Sequence, residues 1–155
     1  LHAGVSRTVT FGEPTQSIRD THHLASIIQT TGMFFSQADW SVQDVWSRVA
    51  RIYEKFGVPD EWREAEQAEA IGYHPAEFCI VPKSVVNLPV GTALFWHPSV
   101  RTASVGDTIL IREDGFELLT PGGNWPQLEI DVKGKRIERP NILIRQSSSD
   151  WPDAE

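Results

Sequence analysis

An α+β fold is what this sequence predicts: an N-terminal strand and three helices followed by a mostly antiparallel sheet of five or six strands. Two observations predict it. Up to Gly72 the apolar residues recur at spacings of three and four, whereas from Tyr73 onward they fall into short runs broken by Pro, Gly and Asp. No helical stretch fits between the later runs, so a doubly wound parallel sheet is excluded.

The elements follow in order. Val5, Thr8, Val9 and Phe11 suggest an opening strand, closed by Gly12 and Pro14. A first helix is predicted to start near Thr15 or Ser17, with Ile18, Leu24, Ile27 and Ile28 turned inward and Gly32 at its end. Met33, Phe34, Phe35 and Ser36 then read as a brief buried strand. Ser41 followed three residues later by Asp44 has the form of a capping box. Behind it Val42, Val45, Trp46, Val49, Ile52, Tyr53 and Phe56 make one helical face, and Gly57 stops it. A third, acidic helix is predicted over Pro59 to Ile71, with Glu61, Glu64, Glu66 and Glu69 on solvated faces and Gly72 at its end.

Strands are then predicted at Glu77–Val81, Thr92–His97, Thr108–Arg112, Phe116–Leu119, Leu128–Val132 and Asn141–Arg145. Arg112-Glu113-Asp114-Gly115 reads as a hairpin turn. Residues 1–146 read as one α+β domain and 147–155 as an acidic, Ser-rich tail.

Composition narrows the function. The 40% hydrophobic and 23% charged residues are those of a globular chain. Fourteen Lys and Arg against 21 Asp and Glu give a net charge of −7, which opposes broad binding to nucleic acid. No apolar run is long enough for a transmembrane helix and no signal peptide is visible, so the expectation is a soluble protein compatible with the cytoplasm. A single cysteine, Cys79, excludes an internal disulfide framework and a cysteine-cluster metal site.

Motifs that would carry chemistry are few. His2, His22, His23, His74 and His97 show no HExxH spacing and read as surface or capping residues rather than zinc ligands. Cys79 lies in the apolar run Glu77-Phe78-Cys79-Ile80-Val81, the setting of a packing thiol rather than a nucleophile. Asp131-Val132-Lys133, with Asp107 upstream, has the spacing of a metal-dependent nuclease pair, but surface charges on neighbouring strands explain it as well.

The segment Pro75-Ala76-Glu77-Phe78-Cys79-Ile80-Val81 puts a carboxylate at the head of a buried strand. It resembles the glutamate strand of ADP-ribosyltransferases of the poly(ADP-ribose) polymerase and DNA-modifying toxin type. Leu1-His2-Ala3-Gly4 is similar to their first strand, and His23 to Ile28 with Gly32 to Ser36 is similar to their helix and second strand. The resemblance implies NAD as cofactor and transfer of ADP-ribose to a macromolecular target. Glu77 would be the catalytic acid, stabilising the oxocarbenium-like sugar as nicotinamide leaves. His2, or His22 in its place, would hold the nicotinamide ribose, Phe34 would stack on the pyridinium, and Ser36 would close the same cofactor site. Glu117 and Glu129 are rival positions for the catalytic glutamate.

The competing class is a non-catalytic acidic protein-binding module of the immunity or inhibitor type. Six tryptophans is a high number for this length, and Trp40, Trp62, Trp96, Trp125 and Trp151 are predicted at element ends or in loops. Exposed, they would anchor a protein partner. Glu61 and Glu64 of the acidic helix would meet a basic one.

Overall fold

The computed structural model describes residues 2–146; the acidic tail with Trp151 lies outside the described residues. Strand β1 (Val9–Phe11) leads through Gly12, at φ +79°, into helix α1 (Gln16–Phe35), whose N-cap Thr15 accepts a hydrogen bond from the Ile18 amide. Helix α2 (Val42–Lys55) starts at Ser41, whose hydroxyl accepts from the Asp44 amide at 3.0 Å and donates to the Asp44 carboxylate at 2.8 Å. Gly57, at φ +73°, releases the chain beyond it.

The chain then forms β2 (Ala68–Ile71), β3 (Phe78–Cys79) and β4 (Ala93–Trp96). A small hairpin of β5 (Ser99–Val100) and β6 (Ala103–Ser104) precedes β7 (Asp107–Arg112) and β8 (Gly115–Leu118). A second hairpin joins β9 (Gln127–Val132) to β10 (Lys135–Pro140), and β11 (Leu143–Arg145) closes the described chain. The main sheet runs β3-β2-β4-β7-β8 and is antiparallel throughout. The exception to antiparallel pairing is β1 with β11, which run parallel with Val9 opposite Leu143.

The α+β class and the mostly antiparallel pairing therefore hold, with three expectations corrected. In place of one sheet of five or six strands, the described residues form a five-stranded sheet and three two-stranded ones, with β9 and β11 outside the main sheet. The third helix is absent. Only a single 3₁₀ turn, Glu61–Arg63, forms there, and the end of the segment is β2. Ala68 and Ala70 are buried while Glu69 between them faces the other way, so period two, set by pairing with β4, overrides the helix propensity of Ala and Glu. Nor do Met33 to Ser36 form a strand. Helix α1 continues through Gly32 to Phe35, because the missing side chain at Gly32 lets the indole of Trp96 lie directly against the helix.

One sheet face packs Ala68, Ala70, Leu94, Trp96, Ile109 and Ile111 onto Ala25, Ile28 and Met33 of α1 and Val42, Val45 and Val49 of α2. Trp96, expected at an exposed element end, is fully buried, its indole N–H donating to Ser36 Oγ at 3.1 Å. Asp107 clamps the layers. Its carboxylate accepts from Arg7 at 2.7 Å, from Thr120 at 2.9 Å, from Gln29 at 3.3 Å and from Arg139.

Candidate functional site

The opposite face of the main sheet carries polar chemistry. Register sets Glu69 beside Cys79 on β3 and beside Phe95 on β4, with Thr108 of β7 next in the row. His97 follows Phe95 two residues on, its ring stacked on the phenyl at a 4.5 Å centroid distance. The N-terminal segment crosses this row. Thr108 Oγ1 accepts from the Gly4 amide at 2.8 Å and donates to the Gly4 carbonyl at 2.9 Å, while the Ser6 amide donates to the Gly106 carbonyl at 3.0 Å. Gly4 and Gly106 flank the Phe95 ring so closely that a methyl group at Gly4 would overlap it.

At one end of the row His97 Nε2 lies 2.6 Å from Glu69 Oε2, with side chains 23% and 16% exposed. Glu66, on the loop entering β2, brings a third ligand atom, and all three atoms lie within 4.8 Å of one another. Ligands of one zinc ion, bound at about 2.0–2.1 Å, lie at most about 4.2 Å apart. Holding one cation would require these side chains to rotate and the Glu69–His97 hydrogen bond to open. Two carboxylates and an imidazole suit zinc or manganese, and three protein donors leave a coordination position open. Cys79 stands beside the group as a thiol: burial, and then the charges of Glu66 and Glu69, push its pKa up. Glu66 also lines a groove of about 420 Å³ walled by Trp46, Trp62, Ile80 and Pro82.

The residues assigned from sequence are distributed otherwise. Glu77 is exposed before edge strand β3, where it accepts from the His74 amide at 3.0 Å. His2 is exposed on the N-terminal segment. His22 is buried in α1, and burial, with His23 next to it, lowers its pKa from 6.5 to about 4. Phe34 and Ser36 belong to the end of α1, behind the sheet. Phe34 packs edge-on against Phe35 at 5.0 Å, and the Ser36 hydroxyl is taken up by the Gly32 carbonyl and Trp96. Glu117 pairs with Arg112 and Glu129 lies 3.7 Å from Arg136. Asp131 accepts from the Gly134 amide at 3.0 Å in the β9–β10 turn, whereas Asp107 is held inside by its arginines. Among the described residues no helix is long and apolar enough to cross a membrane.

No protein-family model matches the sequence, and no curated protein matches it. Solved structures do match in fold, among them dipeptidases, proline-specific peptidases and the N-terminal domain of the FACT complex subunit SPT16 from chickpea (TM-score 0.62 at 12% identity, over 75% of this chain and 31% of that one). The dipeptidase from Pyrococcus horikoshii superposes with a TM-score of 0.71 at 19% identity, over 91% of this chain and 37% of that one. Dipeptidase PepE from Mycobacterium ulcerans gives 0.71 at 15% identity, over 90% and 35%. The X-Pro aminopeptidase from Thermotoga maritima gives 0.70 at 15% identity, over 91% and 37%. This chain thus has the fold of a part of such peptidases and spans little more than a third of their length.

These likenesses overturn the resemblance to ADP-ribosyltransferases, and with it NAD as cofactor and a toxin-like activity. The immunity- or inhibitor-type module finds no support among them either. Helix α1 runs past Gly32 to Phe35 with Ser36 as its C-cap, so Phe34 and Ser36 sit on no second strand. Glu66, Glu69 and His97 were missed because the two glutamates were assigned to a solvated helix and His97 to the surface. Alternation through Gln67-Ala68-Glu69-Ala70 was the available signal.

Proposed function

We propose that this chain is a domain of a peptidase-type protein and acts on short peptides, with Glu66, Glu69 and His97 holding one divalent cation. The convergence of those three ligand atoms within 4.8 Å, on the outer sheet face of a fold shared with dipeptidases, carries the reading. A cation bound there would polarise a peptide carbonyl and bring a bound water toward a pKa of about 7. The protein's own part is positional. The Phe95 ring fixes the plane of His97, and ligation through Nε2 leaves the ring proton on Nδ1. Glu69, between Cys79 on the edge strand and Phe95, keeps its carboxylate turned to the imidazole. The groove beside Glu66 offers aromatic and aliphatic walls to an apolar side chain of the peptide.

Calorimetric titration with zinc or manganese, followed by an assay on a proline-containing dipeptide, tests this reading. Wild-type protein should bind one cation and hydrolyse the dipeptide. Glu69→Gln and His97→Ala should each lose about a hundredfold in cation affinity and turnover. Absence of cation binding, or turnover indifferent to both substitutions, would overturn it.

A further inference from the structure

A second cavity, on the far side of the helices from Glu69, is built for a different ligand. It measures about 500 Å³ and lies between α1, α2 and the β9–β10 hairpin. Its floor is apolar: Phe35, Ile130 and Val132 form a small buried cluster of their own. Its rim is cationic. Arg48, Arg51 and Lys55 recur at three and four residues along one face of α2, and Lys133 faces them from the hairpin turn.

Among the described residues none of these four cations takes part in an ion pair, although the chain carries a net charge of −7. Two carboxylates, Glu129 and Asp131, share the rim, which leaves four cations against two anions, and neither carboxylate pairs with the four. Asp131 caps the hairpin turn, and Glu129 turns toward Arg136. Arg48 instead lies over aromatic rings, 5.1 Å from the centroid of Phe35 and 6.0 Å from that of Trp40, which pins its guanidinium at the junction of rim and floor. Like charges one turn apart on a helix repel, costing a few tenths of a kcal/mol per pair. An anion bound among them removes that cost.

We propose that this cavity binds a small amphiphilic anion. An oxyanion head, carboxylate or phosphate, would sit among Arg48, Arg51 and Lys55, with an aliphatic or aromatic body on the Phe35–Ile130–Val132 floor. The volume falls in the ordinary range for small-molecule sites, about 300–1,000 Å³. The apolar floor distinguishes the ligand from a bare inorganic anion. The net charge of −7 of the chain, which opposes a polyanion, distinguishes it from a nucleic acid.

The test uses anilinonaphthalene sulfonate as a fluorescent probe, displaced by dodecanoate, naphthyl phosphate, dodecanol or inorganic phosphate. Saturable one-site binding of the probe is expected, with displacement by dodecanoate or naphthyl phosphate and none by dodecanol or inorganic phosphate at equal concentration. Dodecanoate and naphthyl phosphate both join an anionic head to an apolar body, so displacement by either supports the proposal. The exposed pair Arg51→Glu with Lys55→Glu should weaken the probe by about tenfold or more, equivalent to 1.4 kcal/mol, while a thermal melt verifies the fold and cation binding at His97 is unchanged. Displacement by dodecanol as strong as by dodecanoate, affinity unchanged in the double variant, or no saturable binding would overturn the proposal.

Discussion

Asp107 and Arg139 form an ion pair in which each side chain is only 1% exposed. Arg7 grips the second carboxylate oxygen, so one buried carboxylate serves two guanidiniums. Burial lowers the Arg139 pKa, and the charge of Asp107 opposes that shift. Removing one partner of such a group leaves an uncompensated charge inside.

Asp107→Ala is therefore expected to destabilise the fold by about 3–5 kcal/mol. Urea denaturation measures it. Replacing both partners, Asp107→Leu with Arg139→Met, should cost less than the single change, because no charge is then left unpaired. A cost below about 1 kcal/mol for Asp107→Ala, the scale of a surface pair, would show that water reaches the pair.

Gly32 supplies a steric prediction. Alanine is better than glycine in a helix interior by about 1 kcal/mol, so Gly32→Ala on an open helix would stabilise. Here the added methyl would overlap the six-membered ring of Trp96, which is fully buried and cannot swing out. A net destabilisation of about 1–3 kcal/mol is expected, read as a lowered melting temperature. A raised melting temperature would mean that the indole and helix can separate at little cost.

His22 makes stability depend on pH. Its folded pKa is about 4 against 6.5 when unfolded. Between these values the unfolded chain binds the proton and the folded chain does not, so stability falls as pH drops through that window. The full loss is about 3 kcal/mol. From pH 6.5 down to 4 the melting temperature of wild type should fall more steeply than that of His22→Leu, which lacks the titrating group. Parallel curves would assign the acid sensitivity to other groups.

What the sequence made legible was local. Ser41 with Asp44 announces α2, and Arg112 to Gly115 announces the β7–β8 turn, because each signal is completed within a few residues. What it concealed was decided by distant partners. Gly32 looks like a helix end until Trp96 is known to occupy the space beside it. Ala68 to Ile71 has helical propensity, and only pairing with Ala93 to Trp96 makes it a strand. Glu69 and His97 meet for the same reason. They are neighbours only because the β2–β4 register places Glu69 opposite Phe95 and joins the His97 amide to the Gln67 carbonyl.

The parallel ladder between β1 and β11 has a consequence for biosynthesis. Its first rung joins Val9 to Leu143, so a nascent polypeptide holds its opening strand in waiting until almost all the described sequence has left the ribosome. Closure over so long an interval is entropically slow. The clasp is accordingly a late event in folding, and Val9 to Phe11 must meanwhile stay free of other strand edges.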